Sequence, residues 1–361
     1  MIKNALFFLC FAAVINLQAQ QRYQSEIFSS IDSVTNIEYG QALNIKGNQE
    51  KLLLDMYMPS AQIDSIKKRP VLLFIHGGGF QNNSKTGGFS NMLCLSFAKR
   101  GYVTVSIDYR LGIENDKSNA DYAAALYRAQ QDGKAAIRYL RKNAASYNID
   151  TAQIFITGSS AGSKTCLAIA YMDEAEVPAT IDQAKWGSLE GSSGNEGYSS
   201  KVSGVINNWG AIIDYNWIKQ GDVPLFNVAG TEDKTVPYDS SYEYHGFKYG
   251  PYILFQRCLQ VGVYTGWRPF YGTGHTLDNK KNKQDSAIQS ISDWLYTQLK
   301  INKPKSEEGV LRYQNDINKF DSLNNVEVYS KDAVLFLGSS YIRMWKTVSY
   351  THLRAHETLM N

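Results

Sequence analysis

The stretch Gln153-Ile-Phe-Ile-Thr-Gly-Ser-Ser-Ala-Gly162 decides the fold of this chain. Its first five residues are predicted to form a short apolar strand, and residues 164–171 are predicted to form a helix. A G-x-S-x-G pattern lies between them. A sharp strand-to-helix turn of this kind strains the backbone of its middle residue and therefore needs small neighbours. The pattern predicts that Ser160 is exposed at the edge of a sheet, with a helix N-terminus directed at it.

Strands and helices alternate on both sides of this turn. Short apolar runs, typical of strands buried on both faces, cover residues 70–75, 102–107, 153–157, 202–206, 224–228 and 263–271. Apolar residues at helical spacing predict further helices over 133–146 and 287–299, and residues 36–58 are expected to form antiparallel edge strands. In the helix over 133–146, we expect Arg138, Arg141 and Lys142 to face away from the core. The predicted fold class is α/β, with a mostly parallel central sheet and helices on both faces.

A second glycine-rich turn, His76-Gly-Gly-Gly-Phe80, directly follows the predicted strand at 70–75. Glycines let the backbone approach a ligand closely and point its N–H groups inward, as a tetrahedral oxyanion requires. Taken alone, the motif is equally compatible with a flexible turn. Together with Ser160, it predicts an oxyanion hole formed by the amides of Gly78, Gly79 and Ala161.

A serine nucleophile needs a general base, and the chain has five histidines. His352 and His356 lie in a C-terminal stretch that we interpret as non-native. His76 belongs to the glycine turn, and His245 is predicted to lie at a helix start or in a surface loop. His275, in a loop after the last predicted strand, is therefore the candidate base.

The base must in turn be oriented by a carboxylate. Asp233 is the candidate because it directly follows another predicted strand. Taken singly, an aspartate at such a position is more often a turn residue. Asp214, after the preceding strand, and the neighbouring Glu232 remain alternatives.

Residues 36–300 resemble the α/β-hydrolase esterases of the carboxylesterase and hormone-sensitive-lipase-like type, among them acetylxylan and feruloyl esterases. The matching segments are Leu72 to Phe80, Ile107 to Leu111, Gly158 to Gly162, Gly230 to Asp233, and Gly274 with His275. The resemblance implies the α/β-hydrolase fold, with Ser160 as nucleophile, His275 as base and Asp233 as orienting acid. It also implies the oxyanion hole named above, and the order of the three residues along the chain is that of the family.

Two features depart from the family pattern. Ser163 stands where such esterases commonly carry another glycine, and we expect slightly altered packing with activity retained. Residues 173–200 are rich in glycine, serine and acidic residues and are expected to form a surface insertion or a lid over the C-terminal edge of the strands. Because this segment matches no family pattern, the resemblance implies no particular acyl or alcohol pocket.

Residues 1–19 are predicted to be a secretory signal peptide, followed by an esterase domain over 22–300. Lys3 precedes an apolar run, Ala5 to Ile15, and the segment ends at the small residue Ala19. A membrane-spanning helix needs a longer run, of about 20 residues. Cleavage would leave three of the four cysteines, an odd number that does not favour a disulfide framework but leaves one pair open. The expected location is secreted or periplasmic.

The C-terminal part is predicted to contain a linker, a second domain and a foreign tail. The linker covers 301–310, and residues 311–347 resemble the truncated start of an SGNH (GDSL-type) hydrolase domain. Ser340 would be the nucleophile candidate there, but the later Asp and His of that family are absent from this chain. The alternative is an ordinary core strand followed by a Gly-Ser turn. Residues 348–361 resemble a translated sequencing adapter, and we interpret them as a non-native tail.

Together these features predict a secreted serine esterase that uses a Ser-His-Asp triad, with acetylated or feruloylated plant polysaccharide as the expected substrate. The near balance of 37 basic and 34 acidic residues gives no large excess of positive charge of the kind that binds nucleic acid. We expect no cofactor, no metal and no membrane association after signal cleavage. A prolyl-oligopeptidase-like serine peptidase and a non-catalytic binding module on the same fold remain alternatives.

Overall fold

The computed structural model describes residues 22–243 and 245–299. Its strands are β1 Ile31–Leu43, β2 Gln49–Pro59, β3 Arg69–Ile75, β4 Val103–Ile107, β5 Ile149–Ser159, β6 Gly204–Asn208, β7 Leu225–Gly230, β8 Ser240–Glu243, β9 Gly246–Tyr249 and β10 Thr265–Phe270. Eight of them form one sheet in the order β1-β2-β4-β3-β5-β6-β7-β10, and β8 pairs with β9 in a separate hairpin. β1 and β2 are antiparallel to their neighbours, and the remaining pairs of the large sheet are parallel.

The α-helices cover both faces of this sheet. They are α1 Gly88–Lys99, α2 Asn119–Lys142, α3 Ala144–Tyr147, α4 Ala161–Tyr171, α5 Gln183–Trp186, α6 Pro251–Val261 and α7 Lys281–Gln298. β3 shows how the sequence produces two cores, because successive side chains of a strand point to opposite faces. Leu73 and Ile75 pack with residues of α2, α4 and α6, whereas Leu72 and Phe74 pack with residues of α1 and α7. The predicted fold class is confirmed.

The helix predicted over 133–146 was placed too late, because α2 begins at Asn119, where Ser118 caps it by accepting a hydrogen bond from the Asp121 amide. Gly133, the first residue of the predicted range, lies in the interior of the helix. A Cβ at this position would lie 2.5 Å from the side chain of Ile169 and 3.2 Å from that of Ile75. The glycine therefore allows α2 to approach α4 and the sheet, and it does not mark a helix boundary.

The prediction that Arg138 faces away from the core was also wrong. Its side chain is 3% exposed, and its guanidinium donates to the carbonyl oxygens of Gly194 at 3.0 Å and Glu190 at 2.8 Å. These partners belong to the segment 173–200, part of which lies along α2. Lys134 pairs with Glu190, and Arg141 donates to the Ser199 carbonyl oxygen. Contacts with this distant segment thus bury Lys134 and Arg138, whereas Lys142 is exposed as predicted.

The structure corrects two further predictions. The closing helix α7 begins at Lys281, six residues before the predicted start at residue 287. His245, predicted at a helix start or in a surface loop, lies in the turn between β8 and β9, so the helix alternative was wrong. Among the described residues, no helix is both long and apolar enough to cross a bilayer. The predicted segments 1–19, 301–310, 311–347 with Ser340, and 348–361 lie outside the described residues.

Candidate active site

The turn from β5 to α4 holds Ser160 in a strained backbone conformation. Its φ is +53° and its ψ is −116°, a combination that a side-chain-bearing residue rarely adopts. Close backbone contacts leave no room for a side chain at Gly158 or Gly162. A Cβ at Gly158 would lie 2.4 Å from the Gly162 carbonyl carbon, and one at Gly162 would lie 2.0 Å from the Ile75 carbonyl oxygen. Both glycines of the G-x-S-x-G pattern are therefore required by packing.

The strand β6 supports this turn from the side. The Ser160 amide donates to the Asn208 carbonyl oxygen at 3.1 Å, and the Asn208 side chain donates to the Gly158 carbonyl oxygen at 2.7 Å. Ser163 accepts from the Asn208 amide at 2.9 Å, and a Cβ at Gly210 would lie 2.5 Å from Ser163 Cβ. Ser163 therefore bonds β5 to β6, and Gly210 makes room for it. The sequence analysis did not identify Asn208, whose only signal is its place just after the predicted strand at 202–206.

Ser160, His275 and Asp233 form one chain of hydrogen bonds. His275 Nε2 lies 3.1 Å from Ser160 Oγ, and His275 Nδ1 lies 2.6 Å from Asp233 Oδ2. The side chain of Asp233 is 2% exposed and that of His275 is 19% exposed. Because the carboxylate accepts a hydrogen bond from Nδ1–H, Nε2 carries no proton and can accept that of the serine hydroxyl.

Asp233 combines two roles that the sequence analysis treated as alternatives. Its Oδ1 accepts the amides of Thr235 and Val236 at 2.8 and 2.9 Å, as a turn residue does, while Oδ2 accepts from His275. The alternative acid Asp214 accepts from the Asn216 amide at 2.9 Å and begins a short 3-10 helix. Glu232 is exposed. Of the three candidate acids, Asp233 is the one that the structure joins to His275.

The loop that carries His275 is fixed by its own backbone. The Gly274 amide donates to Asp278 Oδ1 at 2.8 Å, and the four residues from Thr276 to Asn279 all have φ between +54° and +57°. Such a run is unfavourable for non-glycine residues and persists only when its surroundings hold it. Leu277, fully buried in the core next to α7, anchors the loop. No sequence signal for this left-handed run was found.

The glycine turn after β3 runs directly beside Ser160. The Gly77 amide donates to Ser159 Oγ at 3.1 Å, and a Cβ at Gly77 would lie 3.2 Å from Ser160 Cβ. Gly78 and Gly79 have φ of +110° and +63°, in the region that favours glycine. The structure thus brings the predicted glycine turn and Ser160 together at the C-terminal edge of the sheet.

His76 plays no part in the hydrogen-bonded chain at Ser160. It is buried, and its Nδ1 donates to the Gly77 carbonyl oxygen at 2.7 Å. Burial lowers the pKa of His76, so the ring stays neutral at neutral pH. The interpretation of His76 as a structural residue of the glycine turn agrees with these contacts.

The cysteines of the described residues offer no second nucleophile. Cys94, Cys166 and Cys258 are free and buried. Burial raises the pKa of Cys94 and Cys258 to about 12 and that of Cys166 well above its usual value. Because the thiolate is the reactive form, these thiols are inert at neutral pH. Within residues 22–243 and 245–299, no cluster of three or more His, Cys, Asp or Glu side chains is arranged to hold a metal ion.

A mostly apolar cavity of about 210 Å³ lies beside α4. Its walls come from α2, from the segment after α4, from the loop after β6 and from the β8–β9 hairpin; they include Tyr122, Ala123, Lys164, Ile181 and Ile212. Ser160, His275 and Asp233 are not among its lining residues. Lys164, one of the lining residues, follows Ser160 by four residues, which is about 6 Å along the axis of α4.

Comparisons with known proteins agree with this architecture. A family model described as BD-FAE, an α/β-hydrolase type of esterase, matches residues 54–214, which include the glycine turn and Ser160 but neither Asp233 nor His275. Esterase 2 of Thermogutta terrifontis, phosphoramylated by tabun, superposes with a TM-score of 0.55 at 23% identity. The alignment covers 76% of this chain and 97% of that esterase. This chain has the α/β-hydrolase fold. Its mostly parallel sheet, its sharp turn from β5 to α4 and its helices on both faces are those of that fold.

Curated relatives are similar to this chain over a shorter range. Liver carboxylesterase 1 of Oryctolagus cuniculus is 34% identical over 34% of this chain and 21% of that protein. Neuroligin-like protein glit-1 of Caenorhabditis elegans is 29% identical over 32% of this chain and 15% of that protein. The chain thus spans about a fifth of the length of these two relatives. The comparisons support an α/β-hydrolase of the esterase type.

Proposed function

We propose that this protein is a serine carboxylic ester hydrolase. One observation carries the proposal: the unbroken chain from Ser160 Oγ through His275 to Asp233 Oδ2, with distances of 3.1 and 2.6 Å, at the C-terminal edge of the sheet. A serine hydroxyl is a weak nucleophile until a base accepts its proton, and this arrangement supplies the base together with the carboxylate that orients it.

In the proposed reaction, His275 Nε2 takes the proton from Ser160 as Oγ attacks the ester carbonyl carbon. The negative charge that develops on the carbonyl oxygen is stabilised by the amides of Gly78, Gly79 and Ala161. α4 begins at Ala161, so its first amides have no partner within the helix and add their dipole to the same site. The intermediate collapses, and His275 gives its proton to the departing alcohol oxygen. Water then releases the acid from the acyl-enzyme by the same steps.

The proposal is tested by hydrolysis of p-nitrophenyl acetate by the full chain. Wild type is expected to turn over and Ser160→Ala to lose at least about 10⁴-fold in kcat. Ser290→Ala is the control, because this hydroxyl lies on α7 and bonds only the Ser286 carbonyl oxygen. Equal turnover by wild type and Ser160→Ala would reject the mechanism.

The same assay separates the alternative functions. A prolyl-oligopeptidase-like peptidase would release p-nitroaniline from a glycyl-prolyl anilide with a higher kcat/KM than it shows for simple esters. A non-catalytic binding module would turn over neither substrate. The hydrogen bonds at Ser160 favour an enzyme over a binding module. The serine, the base and the carboxylate that the mechanism needs are all present and hydrogen-bonded.

For the substrate, we propose an acylated polysaccharide. Support comes from aromatic rings in the loop that follows Asp233, on α6, on β10 and in the loop that leads to His275. Tyr238 and Tyr252 stack with ring centroids 5.6 Å apart, and Trp267 lies 6.1 Å from Tyr252. Tyr271, four residues before His275, is 80% exposed. Such rings offer flat apolar faces with polar edges, which suit stacking against sugar rings.

Hydrolysis of a polymeric substrate tests whether these aromatic rings bind polysaccharide. Tyr271→Ala is expected to lower kcat/KM for acetate release from acetylated xylan about fivefold, the equivalent of about 1 kcal/mol for one stacked ring, and to leave p-nitrophenyl acetate hydrolysis unchanged. Tyr264→Ala is the control, since Tyr264 is also exposed but precedes β10 at its other end. An equal loss on both substrates would contradict a role for Tyr271 in polymer binding.

We propose that the cavity beside α4 admits an acyl group larger than acetyl. It lies one helical turn from Ser160, and its walls are largely apolar. Filling it with Ala123→Phe is expected to slow ferulate release from feruloylated xylan at least about tenfold and to leave acetate release unchanged, because a lost apolar contact costs about 1–3 kcal/mol. Ala124→Phe is the matched control, since this neighbour is not among the lining residues of the cavity and instead lines an adjoining pocket with Arg128. Equal losses for both acyl groups would argue against this assignment.

We further propose that the protein is exported, to the periplasm or the medium, on the basis of residues 1–19. Purified mature protein is expected to begin at Gln20. An intact Met1 on protein recovered from the cytoplasm would reject this proposal.

A further inference from the structure

The glycine turn beside Ser160 is held at both ends by the segment after β4. At its start, the Tyr109 hydroxyl donates to the His76 carbonyl oxygen at 3.0 Å. At its end, the Gly112 amide donates to the Phe80 carbonyl oxygen at 2.7 Å. The three residues between these two anchors are all glycines; Gly78 and Gly79 adopt positive φ, and without a Cβ they have the most conformational freedom.

The Tyr109 ring adds a second contact to the same residue. It stacks on the His76 ring with centroids 4.4 Å apart and planes 23° from parallel, and it meets the edge of Phe80 at 6.3 Å. Tyr109 is 2% exposed and His76 is 2% exposed, so no solvent competes with the hydroxyl bond. Burial raises the pKa of Tyr109, and the hydroxyl therefore stays protonated as a donor over the whole working range of an esterase.

The opposite side of the His76 peptide is also closed. A Cβ on Gly162 would lie 2.6 Å from the His76 carbonyl oxygen, which shows how closely the nucleophile turn packs against this peptide. The His76 carbonyl oxygen thus lies between the Tyr109 hydroxyl and the backbone of α4. Rotation of the His76–Gly77 peptide would change the direction of the amides that follow, and it is opposed from both sides.

We propose that Tyr109 is a positioning residue for the oxyanion hole: by holding the His76 carbonyl oxygen, it fixes the direction in which the amides of Gly78 and Gly79 point. The proposal rests on the proposed ester hydrolysis, because it assigns Tyr109 an effect on the charge that develops during that reaction. Tyr109 itself touches no reacting atom. Amides that are fixed before the reaction stabilise an oxyanion without reorganisation, whereas mobile amides lose part of that stabilisation.

Tyr109→Phe removes the hydroxyl and keeps the stacked ring. We expect kcat for p-nitrophenyl acetate to fall at least about tenfold, a smaller loss than that of a whole oxyanion donor. KM is expected to stay within about twofold, because the ground-state ester carries no oxyanion. Trifluoroacetophenone forms a negatively charged adduct with an active serine, so its inhibition constant is expected to rise by the same factor by which kcat/KM falls.

Tyr171→Phe is the matched control. Tyr171 is also 2% exposed, and its hydroxyl donates to a backbone carbonyl oxygen, that of Val223, at the same 3.0 Å. It lies at the far end of α4, and its loss is expected to lower the thermal midpoint about as much as Tyr109→Phe without changing kcat or the inhibition constant. A purely structural role of Tyr109 would move the thermal midpoints of both variants and the kinetics of neither.

The outcomes separate this inference from the proposed function. No turnover by wild type, or full turnover by Ser160→Ala, would reject the hydrolase. An active wild type with Tyr109→Phe equal to Tyr171→Phe in kcat, or a Tyr109→Phe loss that resides in KM alone, would overturn the positioning role.

Should Tyr109→Phe not fold, 3-fluorotyrosine at position 109 keeps the ring and gives a more acidic donor. It is then expected to change the inhibition constant of trifluoroacetophenone, and an unchanged constant would overturn the proposal.

Discussion

The turn from β5 to α4, which carries Ser160, and the segment 173–200 illustrate two ways in which this sequence determines structure. At the turn, short-range pattern and structure agree: Gly158 and Gly162 are needed because backbone atoms stand where their side chains would be. Along α2, the helical pattern of apolar residues gives a wrong prediction. Arg138 is placed on the polar side of the helix, yet it is buried because carbonyl oxygens from 56 residues away cover it. Local sterics can be read from neighbouring residues, whereas the burial of a charge depends on a distant partner.

The largest expected effect tests the acid at the nucleophile turn. Asp233→Asn keeps the shape of the side chain but no longer favours the tautomer with a proton on His275 Nδ1, and it is expected to lower kcat about 10⁴-fold. Steady-state hydrolysis of p-nitrophenyl acetate measures the effect. Asp214→Asn and Glu232→Gln, the two alternative acids of the sequence analysis, are the controls and should retain wild-type kcat. A comparable loss in either control, with Asp233→Asn active, would assign the acid elsewhere.

The next effect tests the packing of the turn itself. In Gly162→Ala the added methyl group would lie 2.0 Å from the Ile75 carbonyl oxygen, and backbone cannot move away cheaply. We expect the free energy of unfolding to fall by about 3 kcal/mol. Urea denaturation measures it, with Gly88→Ala as control, because no atom lies within 4 Å of a Cβ there. Equal stability of the two variants would show that the turn tolerates a side chain.

The smallest expected effect tests the ion pairs between the segment 173–200 and α2. Burial acts to raise the pKa of Glu190, but the hydrogen bond and charge of Lys134, together with Ser200 and Arg138, leave that pKa lowered. Glu190→Ala is expected to cost about 1 kcal/mol of unfolding free energy at pH 7, since its side chain is 55% exposed while its cationic partners are buried. kcat should not change.

The pH dependence of this contribution has a definite sign. A group with a lowered folded-state pKa stabilises above its unfolded-state pKa, about 4.3 for glutamate, and loses that contribution as pH falls through the folded-state value. The stability difference between wild type and Glu190→Ala should therefore shrink below about pH 4.3. A difference that grows on acidification would contradict the ion pairs. Glu114→Ala, which removes an exposed pair with Lys185, is the control.

Much of the fold and the site follows from residues that are close in sequence. The apolar strands, the alternation with helices, and the glycines at both turns predict the sheet and the position of Ser160, and the loops after β7 and β10 place Asp233 and His275 at the same edge. What the sequence does not predict depends on tertiary contacts. Gly133 marks a close approach of α2 to α4 and not a boundary. The support that Asn208 gives to the turn, and the left-handed loop after His275, each require a neighbour that the local sequence does not contain.

The central claim is that Ser160 is a nucleophile activated by His275. Labelling with paraoxon followed by peptide mass spectrometry tests it most directly, because the reagent phosphorylates a serine only where a base activates it. We predict one diethylphosphoryl group per chain on the peptide that contains Ser160, no label in Ser160→Ala, and labelling slowed at least about 10³-fold in His275→Ala. Label on another residue, or equal labelling rates in wild type and His275→Ala, would contradict the account.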